Sequence, residues 1–392
     1  MADRSTRVTF AELTLRGTLE IGDGYRAKNS ELGGDGPIFM RAGRLTQNGW
    51  DWDGAERFHA ELTAKVKPKM AKPGDTVITT KGNSTGRTGY VPKDSPDFVY
   101  SPHLSYWRST NPDEIDSRYL RYWALSSEFH SQLKAMAHGT DMAPYLSLSD
   151  QKRIEITLPA IEQQRDISDI LGALDDKIAT NERIVTTTQL LIQARYLQAI
   201  NKESNPKPLG DLVEFHNRKR VPLSSRQRAE IPGPYPYYGA AGVVDYIRDF
   251  IFSGPHLLVG EDGSVITAER KPVTQYVWGD FWVNNHAHVL TGREISTELL
   301  TVALQFTDVA ALVTGAVQPK LNMRNLMRLE VPLPTEKQTA TLDKEFCEAT
   351  ALIRRRSDES RTLADLRDTL LPQLMSGKLR VRDAEKIVED AV

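Results

Sequence analysis

The sequence predicts an α+β protein made of two mixed α/β domains and two long antiparallel coiled-coil helices, arranged as a pseudo-twofold internal repeat. Two observations predict this class. A stretch of the first half of the chain occurs again in the second half without a gap. Each copy leads into a helical segment of about forty residues whose apolar side chains form one narrow seam, which is typical of a helix that packs against a partner helix.

The repeat is defined by a shift of 175 positions. It aligns Pro144 with Pro319, Leu146 with Leu321, Ile154 with Leu329, Glu155 with Glu330, Leu158 with Leu333, Pro159 with Pro334, Gln163 with Gln338 and Leu171 with Phe346. Amphipathic helices often resemble one another, but this match also covers the strand-like Leu-Pro segment ahead of each helix. We therefore expect the duplication to include the exit of each domain into its helix.

Length and composition bound the class of protein. The 392 residues suffice for two domains with separate cores. The single cysteine, Cys347, excludes an internal disulfide and a Cys-x-x-Cys metal site. The first residues lack the apolar run of a signal peptide, and no stretch approaches a membrane span. We expect a cytoplasmic protein that makes no membrane contact.

The formal net charge is −2, and no segment of the chain is strongly basic. A protein that binds nucleic acid without regard to sequence normally has a basic excess. If this chain binds DNA, its positive charge must be focused on one face or supplied by a partner.

The first predicted domain covers residues 1–160. Residues 76–80 read as a strand that leads through a Gly-rich turn into a second strand, and FVYSPHLSYW reads as a further single strand. The segment SRYLRYWALSSEFHSQLKAMA has helical spacing, with Ser117 as its N-cap. The second domain, residues 205–334, repeats this pattern, with FWVNNHAHVL as one strand.

The long helices are predicted over residues 161–204 and 335–380, and a charged, frayed tail over residues 381–392. Both helices carry apolar seams that we expect to pair and to serve as a spacer and partner interface. The seam residues chosen for this role are Ile167, Leu171, Leu174, Ile178, Leu342, Phe346 and Ile353.

Five segments of the second half, in their order and approximate spacing, resemble specificity subunits of type I restriction-modification systems. They are YYGAAGVVDYI, LLVGEDGS, FWVNNHAHVL, GAVQPKLN and LLPQLMSGKL. The first half has divergent counterparts in GDTVITTKGNSTGRTGYV, FVYSPHL and APYLSL. Each motif is weak alone, but the ordered set and the repeat together cover essentially the whole chain.

The resemblance implies a non-catalytic subunit with two target-recognition domains. Each domain would read one half of a bipartite DNA sequence, with the paired helices as a ruler between the halves. The implied partners are double-stranded DNA, two copies of a modification subunit and, in some complexes, restriction subunits. The chain itself would bind no cofactor, because S-adenosylmethionine belongs to the modification subunit, which methylates adenine.

Candidate DNA-binding residues are polar or basic side chains in loops and at strand ends, where amide, imidazole and cationic groups can reach base edges or phosphates. They are Lys81, Asn83, Ser84, Thr85 and Arg87 in KGNSTGRT, His103 in SPHL, Arg218, Lys219 and Arg220 in HNRKR, Asn284, Asn285 and His286 in VNNHAH, and Lys320 in QPKLN. A solvated turn is the alternative for the basic segments. For His103, Asn284, Asn285 and His286 we favour a role in holding the loops over base reading.

Two other functions remain open. Asp262, Glu269 and Lys271 form a D-x6-E-x-K pattern that resembles metal-dependent nucleases. The spacing is common by chance and the first half has no counterpart, so we predict no catalytic residue and no metal site. The second alternative is a coiled-coil protein-binding scaffold without a role in DNA binding.

Overall fold

The computed structural model of the chain describes residues 5–46, 49–137, 145–315 and 317–391. Contacts divide the chain into two units. Unit 1 comprises residues 1–178 and 362–392, and unit 2 comprises residues 179–361. Pro144, the first position of the predicted repeat, lies outside the described residues.

The helices, in chain order, are α1 Phe10–Leu15, α2 Thr63–Val66, α3 Ser117–Trp123, α4 Ser127–Ala137, α5 Leu148–Lys152, α6 Ile161–Lys202, α7 Leu209–Leu212, α8 Ser225–Ala229, α9 Thr297–Gln305, α10 Met323–Met327, α11 Glu336–Met375 and α12 Val381–Ala391. The two long helices predicted from the apolar seams are α6 and α11, and both are present close to the predicted bounds. In the described part of the chain, no helix is both long and apolar enough to cross a membrane.

The strands are short. They are β1 Thr6–Thr9, β2 Leu19–Asp23, β3 Ile38–Met40, β4 Leu45–Thr46, β5 Gly49–Trp50, β6 Thr76–Thr79, β7 Thr88–Tyr90, β8 Phe98–Tyr100, β9 Leu104–Ser109, β10 Glu155–Leu158, β11 Lys207–Pro208, β12 Val213–Phe215, β13 Pro232–Tyr238, β14 Val243–Ile247, β15 Phe252–Ser253, β16 His256–Gly260, β17 Thr274–Val277, β18 Asp280–Val283, β19 Ala287–Gly292 and β20 Glu330–Val331.

Each unit contains a four-stranded antiparallel sheet with the same strand order. In unit 1 the order is β2-β9-β6-β7, and in unit 2 it is β12-β19-β16-β17. Unit 1 adds the parallel pair β3-β8 and the hairpin β4-β5, and unit 2 adds a mixed sheet ordered β14-β13-β18-β15. The predicted duplication therefore includes the central sheet as well as the helices.

The first and last strands of each domain are hydrogen-bonded neighbours. β1 pairs antiparallel with β10 in unit 1, and β11 pairs antiparallel with β20 in unit 2. The helices beside these pairs follow the shift of 175, since α5 and α10 begin at Leu148 and Met323, and α6 and α11 begin at Ile161 and Glu336. Ser147 caps α5 by accepting from the Asp150 amide, and Asn322 caps α10 in the same way from Asn325.

The long helices pack antiparallel within each unit. In unit 1, Leu171 and Leu174 of α6 are buried in one core with Leu363, Leu370 and Leu374 of α11. In unit 2, the later residues Ile192 and Tyr196 of α6 share a core with the earlier residues Leu342, Phe346 and Ile353 of α11. Ion pairs flank both seams, Asp175 with Arg367 at 2.8 Å and Arg195 with Glu345 at 3.0 Å. The predicted fold class is confirmed.

The seam contains one polar residue that the apolar pattern did not reveal. Asn181 of α6 is 1% exposed, and neither side-chain amide atom has a hydrogen-bond partner within the described residues. It lies between Ile178 and Val185 at seam spacing. A buried amide without a hydrogen-bond partner lowers stability, because the loss of its hydration is not compensated.

Several local predictions were wrong. The segment from Ser117 forms two helices, and its first cap is Asp116, whose carboxylate accepts from the Arg118 and Tyr119 amides. The helix restarts after Ser126, whose Oγ accepts from the Phe129 amide. The single strands predicted in FVYSPHLSYW and FWVNNHAHVL are each two strands in different sheets, β8 with β9 and β18 with β19. In the second case Asn284 Oδ1 accepts from the His286 amide and turns the chain.

The end of the chain is helical and not frayed. Residues Val381–Ala391 form α12, and Ala384 is fully buried. Val381 and Val388 pack against the core of unit 1. The charged residues that suggested a solvated tail therefore lie beside an apolar stripe, and burial of that stripe stabilises the helix.

Candidate functional site

The two units share one arrangement of main-chain hydrogen bonds at the ends of their central strands. In unit 1 the Thr80 amide donates to the His103 carbonyl at 2.9 Å, and the Leu146 amide donates to the Thr80 carbonyl at 2.9 Å. In unit 2 the Glu261 amide donates to the His286 carbonyl at 2.8 Å, and the Leu321 amide donates to the Glu261 carbonyl at 2.9 Å. The two sets of positions are therefore structurally equivalent.

This equivalence places three residues at corresponding positions in each unit. The bridge between Lys81 and Tyr145 in unit 1 matches the bridge between Asp262 and Lys320 in unit 2. We define junction 1 as Lys81, His103 and Tyr145, and junction 2 as Asp262, His286 and Lys320. The residues come from segments far apart in sequence, and the central sheet and the segment ahead of α5 or α10 position them.

Junction 2 is an ion-paired cluster. Lys320 Nζ lies 3.0 Å from Asp262 Oδ1, and His286 Nδ1 lies 3.7 Å from Asp262 Oδ2. The Lys320 and His286 side chains are each 50% exposed, whereas Asp262 is 17% exposed. The hydrogen bond from Lys320 to Asp262 raises the pKa of the lysine, which stays charged. The carboxylate is held by Lys320, lies near His286 and still reaches solvent.

Junction 1 has no carboxylate. Lys81, His103 and Tyr145 are all exposed, and the described residues offer the Lys81 ammonium no ion pair. The loop behind it is a tight turn in which Gly82 and Gly86 have φ values of 87° and 91°. A side chain at position 86 would collide with Leu133. The loop is therefore fixed by its main chain and not by ion pairs.

The remaining candidates of the KGNSTGRT loop differ in accessibility. Asn83 is exposed, and Ser84 and Thr85 are partly buried, with Thr85 Oγ1 donating to the Gly82 carbonyl at 2.7 Å. Arg87 is partly buried, and its Nη1 donates to the Leu45 carbonyl at 2.7 Å. The guanidinium of Arg87 therefore makes a hydrogen bond within its own domain.

A buried polar cluster lies next to junction 2. Arg220 Nη1 lies 2.7 Å from Glu261 Oε2 and donates to the Ala287 carbonyl at 2.7 Å. His288 is fully buried, and its Nε2 donates to the Leu321 carbonyl at 2.7 Å while Nδ1 accepts from Asn217 at 2.9 Å. Arg220 thus holds the strand ends together, and its phosphate contact remains a prediction.

The other basic and amide candidates of unit 2 lie nearer to solvent. Arg218 and Lys219 are exposed in a 3₁₀ turn. Asn285 is exposed, while Asn284 is partly buried and forms the turn that separates β18 from β19. Asn284 and Asn285 directly precede His286 of junction 2, and all four residues remain predicted DNA contacts.

His288 makes the stability of unit 2 dependent on pH. Burial lowers the pKa of this histidine below its usual value, although the Leu321 carbonyl and Glu261 act in the opposite direction. The unfolded chain therefore binds more protons than the folded chain below about pH 6.5, and stability must fall as pH falls through that range. We expect the pH dependence of the denaturation midpoint to weaken in His288→Gln, in which an amide can replace the Nε2 donor.

His286→Gln serves as the control, because His286 is half exposed. Burial also lowers the pKa of His216 and His256, so part of the dependence should remain in His288→Gln. Denaturant midpoints measured from pH 5 to pH 8 check the prediction. An identical pH slope in His288→Gln and the parent would contradict it.

The geometry gives no support to the nuclease alternative. Asp262 is paired with Lys320, Lys271 Nζ donates to the Phe306 carbonyl at 3.1 Å, and Glu269 is exposed. Across the described ranges, no three His, Cys, Asp or Glu side chains are grouped so that they could hold a metal ion.

The chosen seam residues are structural within their units. Ile167, Leu171 and Leu174 are buried in the core of unit 1, with Ile178 packed against it, and Leu342, Phe346 and Ile353 are buried in the core of unit 2. All of them are buried except the partly buried Ile178, so they pair the helices. Any partner surface must involve other side chains of these helices.

Tyr145 and Glu261 belong to the candidate site although neither was predicted from the sequence, and Asp262 was predicted only as part of a nuclease pattern. The shift of 175 carried a signal for Tyr145, because it aligns this residue with Lys320. No sequence signal identified Glu261, whose role depends on its contact with Arg220.

Two similar domains, each with the same strand-end junction and each joined to a long paired helix, define a class of internally duplicated proteins. The chain matches the family model for the type I restriction modification DNA specificity domain over residues 8–187 and 201–355. These regions make up more than half of the chain, which therefore belongs to this family. The resemblance to specificity subunits is confirmed.

Individual relatives agree with this assignment. A protein of Haemophilus influenzae, named for the specificity subunit of a type I restriction enzyme, is 33% identical over 129 residues, which are 33% of this chain and 32% of the relative. The match thus spans about a third of the length of that relative.

Solved structures also resemble the chain. The crystal structure of a type I restriction-modification S subunit from M. genitalium has a TM-score of 0.62 at 16% identity, covering 95% of this chain and 96% of that chain. It shows that the fold is shared. The HsdS subunit of Thermoanaerobacter tengcongensis has a TM-score of 0.38 at 17% identity, covering 96% and 97% of the two chains.

Proposed function

We propose that the chain is the DNA sequence-specificity subunit of a cytoplasmic type I restriction-modification complex and performs no chemistry itself. The observation that carries the proposal is the duplicated strand-end junction, with one copy in each unit. Two equivalent polar sites in one chain suit a bipartite target, each site reading one half. Family membership over both matched regions supports this reading.

The proposed partners follow from the same role. Double-stranded DNA occupies both junctions and the exposed residues around them, including Asn83, Arg218 and Lys219. The near-neutral charge of the chain leaves part of the phosphate neutralisation to a partner. We assign that part to two copies of an adenine-methylating modification subunit, which carries S-adenosylmethionine, and restriction subunits complete the nuclease. The long helices set the spacing between the half-sites.

Domain exchange tests the proposal. Residues 1–158 are replaced by those of a homologue of different specificity, and the chimera is expressed with the modification subunit of the parent. Methylome sequencing should then reveal a changed sequence in one half-site, with the other half-site and the spacing retained. A change in both halves, or in neither, would contradict the assignment of one domain to each half.

A further inference from the structure

The two junctions occupy equivalent places but carry different charges. Equivalent main-chain hydrogen bonds place Lys81 where unit 2 has Asp262, and Tyr145 where unit 2 has Lys320, with a histidine third in each. Junction 1 therefore carries one cation and no anion, whereas junction 2 carries a cation and an anion. If both junctions meet DNA, as the proposed function requires, they cannot make the same contact.

A carboxylate at a DNA surface has few favourable partners. Phosphates repel it, and guanine and thymine present acceptors in the major groove, whereas cytosine N4 and adenine N6 are donors; of these two, cytosine N4 is the usual partner of a carboxylate. Asp262 is also fixed in place by Lys320 at 3.0 Å. The structure thus holds an acceptor and a strong donor side by side on one surface.

We propose that junction 2 reads a G·C base pair in the major groove, with Asp262 accepting from cytosine N4 and Lys320 donating to guanine O6 or N7. The carboxylate and the ammonium lie side by side in one ion pair. Their proximity matches that of the cytosine N4 donor and the guanine O6 and N7 acceptors on the major-groove edge of one base pair. The ion pair restrains the lysine ammonium beside the carboxylate. His286 Nδ1 lies 3.7 Å from the other carboxylate oxygen.

Junction 1 makes a different contact at the equivalent position. Its Lys81 has no carboxylate partner among the described residues, so its ammonium is free to pair with a phosphate. Such a contact strengthens binding without selecting a base. One position in the fold thus specifies sequence in unit 2 and contributes general affinity in unit 1.

The test is methylome sequencing of a host that expresses the chain with its modification subunit. We compare the parent with Asp262→Asn, Lys320→Met, and a control, Asp211→Asn. Asp211 is an exposed carboxylate beside Val213, which pairs with Gly292 at the opposite end of β19 from junction 2. Exchange of residues 1–158 identifies which half-site belongs to unit 2.

Asp262→Asn and Lys320→Met should each make the same G·C position of the unit 2 half-site degenerate, with a loss of discrimination of roughly tenfold. Asp211→Asn should leave the motif unchanged. An unchanged motif in both junction variants, a degenerate A·T position, or a change in the other half-site would overturn the inference. Absence of any bipartite motif in the parent would instead refute the proposed function.

A second measurement separates the two junctions. Binding of a duplex with the parent motif is measured for the complex at increasing KCl concentration. Lys81→Met should weaken binding and lower the slope of log affinity against log salt by about one, while the methylated motif stays the same. A changed motif in Lys81→Met would overturn the contrast between the junctions.

Discussion

Leu171→Ala will lower the free energy of unfolding of unit 1 by about 3 kcal/mol, whereas Leu190→Ala will change stability by less than about 0.5 kcal/mol. Both leucines lie on α6, and the two substitutions remove the same side-chain atoms. Leu171 is fully buried in the core that joins α6, α11 and the first domain, and Leu190 is 61% exposed. The difference arises from the apolar area returned to water and from the cavity left in a packed core.

Urea unfolding followed by far-UV circular dichroism measures the difference, and hydrogen exchange of the amides shows which unit is affected. The aligned residue Phe346 is also fully buried, so Phe346→Ala should destabilise unit 2 by about 3–5 kcal/mol. Equal unfolding energies for Leu171→Ala and Leu190→Ala would show that the seam assignment is wrong.

The second large effect is expected at a buried ion pair in the first domain. Asp75 is fully buried, and its carboxylate accepts from Arg108 Nε at 2.6 Å and from Arg108 Nη2 at 2.7 Å. It also accepts from the Tyr100 hydroxyl at 2.8 Å and the Lys72 amide at 2.9 Å. Asp75→Asn removes the charge that compensates a guanidinium only 12% exposed, and should cost about 3–5 kcal/mol.

Glu20→Gln provides the matched control, because Glu20 contacts the same arginine at 3.1 Å but is 42% exposed. Its loss should cost less than about 1 kcal/mol. Replacing both members, as Asp75→Leu with Arg108→Met, should recover much of the stability lost in Asp75→Asn, because no unpaired charge then remains buried. Urea denaturation of the set checks this, and similar losses for Asp75→Asn and Glu20→Gln would contradict the argument.

The long helices and the repeat could be predicted because their signal is itself periodic. Seam residues such as Leu171 and Phe346 recur over many turns, and the shift of 175 needs no gap. The interruptions between strands at Ser101–His103 and Asn284–His286 could not be predicted, because the composition of a strand does not reveal that the chain passes from one sheet to another. The burial of Asn181 could not be predicted, because apolar residues alone define the seam pattern.

The candidate site was predicted residue by residue but not as an arrangement. Lys81, His103, His286 and Lys320 were chosen from loop position and chemistry, and they remain predicted DNA contacts. Their grouping into junctions depends on main-chain hydrogen bonds between distant segments, which no local pattern contains. The contact between Arg220 and Glu261 could not be predicted for the same reason, because the two residues lie 41 positions apart in the sequence.

The pairing of the first and last strands of each domain affects how the chain tolerates insertions and deletions. β1 with β10, and β11 with β20, return the chain to the place where it entered the domain. Ile161 and Glu336 then begin their helices at the same interval after Glu155 and Glu330, although the first domain is the longer one. The interior of a domain can therefore lengthen, shorten or be rewritten without shifting the residue at which its helix begins. Evolution can then alter what is recognised while the helix pairing is retained.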